Sequence, residues 1–411
     1  MPSTLAETLP ASALPSAIPD QKLNIFKIEA DPADLKGQNI TPVWQLQEES
    51  KPALEDSPKA EEPPRKTGKF LPITQLSGEA VFSLIYAARN RDTEAIKPSL
   101  GNRLRLDFET SFSGEDQLRF RLQTTNVAEL DDVFETDLAR LSIQGEDQNQ
   151  IELSRLDYTF PIGDRTKVFV QAVGGSLSDI ADPLNPLFSS SGSGSISRFG
   201  QRNPLYRQGG STGVGVSHDF SDRVNLSAGY FSDAENLLPD EEYIAFAQVT
   251  VEPTETLALG LLYAYAFNGL DTGTGHQRAN DPFADQSDAI ASHSLGLQAT
   301  ASLTPDIVLS GWAGWTRAIA TDLAHTPEAD ILNWAITLGY LDVLGEGNQM
   351  GLVIGYPPQV LGSQPPFHVE LSYKIQMNEH ISVTPGIMMV TQPETQASPI
   401  VTGIIRTTFR F

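Results

Sequence analysis

Between residues 102 and 126 the chain reads NRLRLDFETSFSGEDQLRFRLQTTN, in which Leu104, Leu106 and Phe108 alternate with Arg103, Arg105, Asp107 and Glu109. A β-strand sends successive side chains to opposite faces, so even positions 104 to 112 form an apolar face and odd positions 103 to 111 a charged one. After the turn-rich quartet Ser113-Gly114-Glu115-Asp116 the alternation resumes, with Leu118, Phe120 and Leu122 against Arg119, Arg121 and Gln123. The spacing predicts a β-hairpin with one apolar side and one arginine-rich side. On an ordinary sandwich the apolar side would face a core and the charges water, so the rest of the chain must decide which environment wants both.

The same period of two recurs to the last residue. It appears in Leu76/Gly78/Ala80/Phe82/Leu84, Val224/Leu226/Ala228/Tyr230 and Leu257/Leu259/Leu261/Tyr263/Tyr265, and again in Leu295/Leu297/Ala299/Ala301/Leu303, Trp334/Ile336/Leu338/Tyr340, Val369/Leu371/Tyr373/Ile375/Met377 and Ile405/Thr407/Phe409/Phe411. The opposite faces are small or polar, as in His368, Glu370, Ser372, Lys374 and Gln376. Strands of about 10 residues, joined by tight turns at one end and longer loops at the other, predict an all-β fold: a transmembrane antiparallel β-barrel. Phe112, Phe160, Phe220, Tyr340, Tyr356 and Phe409 at segment ends fit interfacial girdles.

Seventeen segments read as strands, whereas single-chain bacterial barrels carry even numbers. With the tight turns Asn378-Glu379, Thr304-Pro305, Pro253-Thr254 and Ser221-Asp222 at the periplasmic end, the long connection 175–211 must lie outside. Counting forward reaches that side only if one of 137–145, 150–161 or 166–174 does not span. Segment 137–145 alternates least, which leaves 16. Pro385, inside the penultimate strand, lacks a ladder donor in a sheet without edges, so a bulge is expected there. The ending TTFRF places aromatic Phe411 on the last strand, the feature read by outer-membrane assembly machinery.

Composition sharpens this picture. Eleven of the 28 prolines fall in residues 1–72 among acids and lysines, a flexible segment that cannot bury enough apolar surface to order itself. Residues 73–411 are then the barrel domain. Net charge is -24, which argues against nucleic acid as a partner. After residue 70 the basic residues are 17 Arg and only Lys97, Lys167 and Lys374, a bias toward hydrogen-bonded clusters in a lined interior. The chain has no cysteine, which removes disulfides and thiolate sites and suits export. No run approaches 18 apolar residues, so helical membrane spans are excluded. The opening MPSTLAETLPASALPS has neither the basic start nor the apolar core of an export signal.

Catalytic chemistry is poorly represented, and the expectation is no enzyme and no cofactor. His218, His276, His293, His325, His368 and His380 are scattered, without H-E-x-x-H, G-x-S-x-G or a Walker loop. The glycine-rich GGSTGVGVSHDF runs into a strand, so its glycines relieve crowding in a closed sheet rather than cradle phosphate. No cluster of oxygen or imidazole ligands suggests a metal site.

The informative connection is 176–210, SLSDIADPLNPLFSSSGSGSISRFGQRNPLYRQGG. Connections this long are usually functional or disordered, and this one, unlike a polar tether, carries Arg198, Arg202 and Arg207 with Phe188, Phe199 and Tyr206. It is expected to fold into the lumen and narrow it. Phase places Arg103, Arg105, Asp107, Glu109, Arg119 and Arg121 on the inward wall, and closure of the last strand on the first brings Arg406 and Arg410 nearby. These side chains are the expected pore lining and constriction, with acids compensating the arginines and the whole setting ion preference. Inward Phe169, Phe246 and Trp312 are candidates for stacking on a sugar.

DIADPLNPLFSSSGSGSISRFGQRNPLYRQGG, with the preceding RLDYTFPIGDRTKVFVQAVG and the opening hairpin, resembles the cyanobacterial branch of the carbohydrate-selective porin (OprB) family, also called iron uptake porins. The resemblance covers roughly residues 73–411. It implies an outer-membrane barrel in contact with membrane lipid, passing small hydrophilic solutes, sugars or inorganic ions including iron, and open to assembly with further copies of itself. Many relatives add a cell-wall-binding S-layer-homology domain and a helical spacer; neither module is visible here. The alternative function is a plugged structural barrel that anchors or binds another envelope component.

Overall fold

The computed structural model describes residues 70–89, 94–233, 242–393 and 398–411. Of the Pro- and acid-rich segment 1–72, only residues 70–72 lie within them. The strands are β1 Ile73–Arg89, β2 Glu94–Ser111, β3 Gln117–Val127, β4 Gly145–Glu146, β5 Glu152–Pro161, β6 Thr166–Val173, β7 Thr212–Ser221, β8 Val224–Ser232 and β9 Tyr243–Thr254. They continue with β10 Leu257–Phe267, β11 Ile290–Thr304, β12 Ile307–Ala320, β13 Glu328–Leu341, β14 Gln349–Val360, β15 Phe367–Asn378, β16 Ile381–Thr391 and β17 Ile400–Arg410.

Each strand pairs antiparallel with its neighbour in sequence, β3 passes over the two-residue β4 to pair with β5, and β1 pairs with β17. The result is a closed barrel of 16 spanning strands. Segment 137–145, the weakest-alternating of the three candidates that parity left, does not span. Closure is tied at the C-terminus, where the Gly78 N–H donates to the Phe411 carbonyl at 2.6 Å and the Phe411 N–H returns the bond at 3.1 Å.

Facing follows the period of two. In β1, Phe82, Leu84 and Tyr86 are exposed on the outer surface while Val81, Ser83, Ile85 and Ala87 are buried inside. Connections at one end are tight, such as 222–223 and 305–306; at the other end they run to 128–151, 174–211 and 268–289. Outward aromatics mark both ends, with exposed Phe112, Phe220 and Tyr340 near the tight turns and Tyr230 stacked on Tyr243, and Tyr243 on Phe267, near the long loops.

The bulge expected at Pro385 is absent. Pro385 is in register with Ile405 of β17, and on the β15 side the pairing breaks off between Ser372/Gly386 and Ile375/Val383 without any change of register. The missing N–H is thus accommodated by an interrupted ladder and not by an extra residue.

Candidate functional site

The inward face of β1, β2, β3 and β5 is a sheet of paired charges. Arg103 meets Glu79 at 2.8 Å, Arg121 meets Asp107 at 2.8 Å, and Arg119 meets Asp157 at 3.1 Å. Arg155 pairs with Asp157 and reaches Asp179 of the long loop at 2.7 Å. Arg105 has no acid within ion-pair distance among the described residues; it donates to Gln123 at 2.6 Å and to the Ser191 hydroxyl at 3.0 Å. Gln117 donates to Glu109 at 2.7 Å. Period two placed these groups on one face, and the ladder register Asp107↔Arg121 and Glu109↔Arg119 makes them neighbours across the hairpin.

Three connections from the long-loop end fold into the lumen. The first, 128–151, carries the short helix α1 Leu130–Phe134 and a 3-10 turn Asp137–Ala139, and buries Leu130, Phe134, Leu141 and Ile143 against Val81, Ile85 and Ile404. The second, 174–211, buries Leu177, Ile180, Leu205 and Tyr206 against Phe231, Ile244 and Leu262. Its trace is pinned to the first where the Ser142 N–H donates to the Ile196 carbonyl at 2.9 Å and the Arg198 N–H to the Arg140 carbonyl at 2.9 Å. The third, 268–289, carries the helical turn α2 Gln277–Asn280, and Asn280 donates to Asp137 at 2.8 Å.

Wall glycines make room for the second segment. A Cβ at Gly351 would lie 2.8 Å from the Phe188 ring, and one at Gly386 would lie 3.0 Å from Ile196. At these positions the crowding comes from the loop, and in the glycine-rich stretch read from sequence as relieving crowding, a Cβ at Gly215 would likewise run into Ile180 of the loop.

The tip of that loop is held by two wall residues. Glu370, fully buried, accepts from Ile196 N–H at 2.8 Å, Ser197 N–H at 3.0 Å, Ser195 Oγ at 2.7 Å and Ser197 Oγ at 2.6 Å. Arg406, also fully buried, donates to the carbonyls of Gly194 at 2.6 Å, Ser191 at 2.9 Å and Ser195 at 3.3 Å. Farther along, the Tyr206 hydroxyl is hydrogen-bonded to Gln248 and Gln298, and burial pushes its phenol up.

Arg198, Arg202 and Arg207 remain half-buried on the inserted loop. Burial and the Arg140 and Arg202 charges hold Arg198 down at about 10, against Asp137 and Asp271. Burial, then Arg198, Arg202 and Arg140, push Arg207 well below the usual arginine range, with no acid opposing them. On the neighbouring segment, burial and the adjacent Asp271 raise Asp137, although Arg140 lies 3.4 Å away.

Several expected site residues are placed differently. Arg406 is buried beneath the loop tip and holds it, whereas Arg103 is buried against Glu79 of β1. Arg410 donates to Ser193 at 2.7 Å from an exposed position near the tight-turn end. Of the inward aromatics, Phe246 and Trp312 are 4% and 6% exposed, Trp312 lies edge-on to Phe199 at 5.7 Å, and half-buried Phe169 packs against the same cluster as Phe246. The inserted loop covers Phe246 and Trp312, while Phe169 stays half-buried.

Glu79, Arg155 and Asp157 were not singled out from sequence, and Glu370 and Lys374 were read only as part of a polar face, although all stand on the inward phase of their strands. Arg140, Asp137 and Asp271 lie on connections, where no period reveals direction. Among the described residues no group of three or more His, Asp or Glu is placed to hold a metal ion.

Comparison with known proteins agrees with this architecture. An uncharacterized protein of Synechocystis sp. is 30% identical over 384 residues, covering 84% of this chain and 70% of that protein, and one of Nostoc sp. is 28% identical over 420 residues, covering 91% and 72%. Among solved structures, an anion-selective porin from Comamonas acidovorans superposes with a TM-score of 0.57 at 13% identity, covering 83% of this chain and 100% of that one. Pseudomonas putida OprB gives 0.57 at 11% identity, covering 82% and 94%. The family described as carbohydrate-selective porin, OprB family, matches residues 33–411, and the chain belongs to it.

Proposed function

We propose that this protein is an outer-membrane porin, a water-filled channel through which small hydrophilic solutes diffuse passively, with the passage narrowed by the inserted segments and its field set by arginines. The observation that carries the reading is the pairing of an apolar outer face with an inner face of charged side chains, half-buried at Arg105, Arg119 and Arg121 and again on the loop at Arg198, Arg202 and Arg207. A barrel with that outer face belongs in lipid, and such an inner face calls for water or polar solutes. Family membership supports transport of carbohydrates or other small solutes. The covered aromatics favour recognition by charge and hydrogen bonding over ring stacking, so polar solutes and inorganic ions are the expected cargo, without a dedicated iron site.

A second reading, a plugged barrel that anchors another envelope component, draws on the loop latch at Glu370 and Arg406 and on the apolar clusters that seat the inserted segments. Single-channel recording in a planar bilayer separates the two. Discrete conductance steps support the porin; a correctly folded barrel that stays silent favours the plug.

A further inference from the structure

We propose that Arg198, Arg202 and Arg207 form a binding site for a doubly charged oxyanion, a phosphate or sulfate group either free or carried on a small solute. The proposal deepens the channel reading above, which supplies the route to the site, while the site itself rests on the geometry of one inserted loop.

Two of the three guanidinium groups are held by neutral partners, and among the described residues none of the three is in an ion pair. Arg207 Nη2 donates to the Arg198 carbonyl at 2.9 Å and to Gln201 Oε1 at 2.8 Å, neutral acceptors that aim the fork without cancelling its charge. Arg202 donates to the Ser178 hydroxyl and to the Ser189 carbonyl at 3.5 Å, again neutral groups. Arg198 has no side-chain hydrogen bond, and only its Nε is a buried atom without a partner, so its terminal nitrogens are solvent-accessible. The 3-10 turns Phe199–Gln201 and Pro204–Arg207 hold the spacing between the three residues.

Neighbouring carboxylates act on these arginines only from beyond ion-pair distance, Asp137 and Asp271 on Arg198 and Asp179 on Arg202, and each has a nearer partner. Asp179 pairs with Arg155 at 2.7 Å, and Asp131 and Asp137 pair with Arg140 at 3.1 and 3.4 Å. Asp271 caps its own turn by accepting the Gly273 N–H at 2.7 Å. Among the described residues no acid lies within ion-pair distance of Arg198, Arg202 or Arg207. Such a cationic patch in a chain of net charge -24 is a local exception.

Guanidinium forks pair with two oxygens at a time, and like charges held together favour an anion of more than one charge. A tetrahedral oxyanion has oxygens enough for several forks. Chloride offers no directional match, and a neutral sugar would leave the charges uncompensated.

The test uses the folded full chain. Inorganic phosphate, and in a parallel arm a hexose phosphate, is added to a potassium chloride bath during bilayer recording and titrated calorimetrically into the detergent-solubilised barrel. Phosphate should reduce the chloride current, and Arg207→Gln should weaken both block and binding by about tenfold or more, as expected for lost hydrogen bonds to a charged group. Arg202→Gln serves if the first variant does not migrate as a heat-resistant barrel, and Arg165→Gln, on a turn at the opposite end, should bind as the parent does. Binding in both arms identifies the oxyanion itself as sufficient; binding of the hexose phosphate alone, with the same sensitivity to Arg207, identifies a carried phosphoryl group. A folded barrel that binds neither probe, or binds them equally well in the Arg207 and Arg202 variants, overturns the proposal. A barrel that binds phosphate but carries no current would instead overturn the channel reading and leave the site standing.

Discussion

Glu370 and Arg406 grip the same serine-rich turn with opposite polarity: Glu370 accepts the Ile196 N–H at 2.8 Å, and Arg406 donates to the Gly194 carbonyl at 2.6 Å. The two residues stand on β15 and β17, with β16 between them. A turn whose N–H groups and carbonyls are both satisfied by buried wall side chains has little reason to leave the wall.

Removing the acid should release that turn. Glu370→Ala strands donors that cost about 1–3 kcal/mol each when buried without a partner. The barrel is expected to keep its heat-resistant migration, while channel noise grows and amide exchange within 191–197 accelerates. Quiet current and unchanged exchange in a folded variant would show that the surrounding apolar packing holds the loop without the latch.

The wall arginines should control selectivity unequally. Arg119→Ser and Arg121→Ser each leave an acid, Asp157 or Asp107, without that arginine, whereas Arg105→Ser removes a charge that has no acid partner. The triple variant is expected to move the reversal potential in a salt gradient toward cations and to change conductance. If both stay at parental values in a folded barrel, these arginines only stiffen the wall.

Filling a wall glycine should displace the loop. At Gly351 a new Cβ would meet the Phe188 ring at 2.8 Å, so Gly351→Val is expected to cost about 1–3 kcal/mol, as overpacking does, and to alter conductance. The temperature at which heat-resistant migration is lost, together with single-channel conductance, reads both effects.

Selectivity should also depend on acidity through Asp137. Its carboxyl is raised by burial and by Asp271, so it takes up a proton before ordinary aspartates do as the pH falls. Protonation leaves the adjacent Arg140 and Arg198 charges less compensated, and anion preference should rise on acidification below neutrality. Reversal potentials between pH 7 and about pH 4 check this, and Asp137→Asn should show the raised preference already at neutral pH and flatten the response. The same profile in parent and variant would assign the titration to another group.

Facing can be tested directly because the chain has no cysteine. Single cysteines carrying spin labels at Leu106 and Arg105 should report lipid and water respectively, and reversed accessibility would contradict the phase assigned to β2.

Much of the fold was legible because strand phase is local. Leu104, Leu106 and Phe108 alternate with Arg103, Arg105 and Asp107 whatever the rest of the chain does, and a closed sheet turns that alternation into an outside and an inside. Because each strand reverses direction, parity required one of 137–145, 150–161 or 166–174 not to span, and weak alternation picked out 137–145. The inward turn of 176–210 could also be expected from its length and its aromatic and arginine content.

What only the tertiary structure decided was which inward groups meet. Arg406 and Arg119 share the inward phase, yet one is buried beneath a turn that starts more than two hundred residues earlier and the other pairs with a neighbouring strand. Trp312 and Phe246 point inward as their positions require, but Phe199 and Ile180 cover them, because the path of an inserted loop depends on every contact it makes across the lumen. Pro385 keeps its register with Ile405 of β17, while the ladder to β15 is interrupted beside it. Phase is set by the residue itself; partnership is set by where distant segments come to rest.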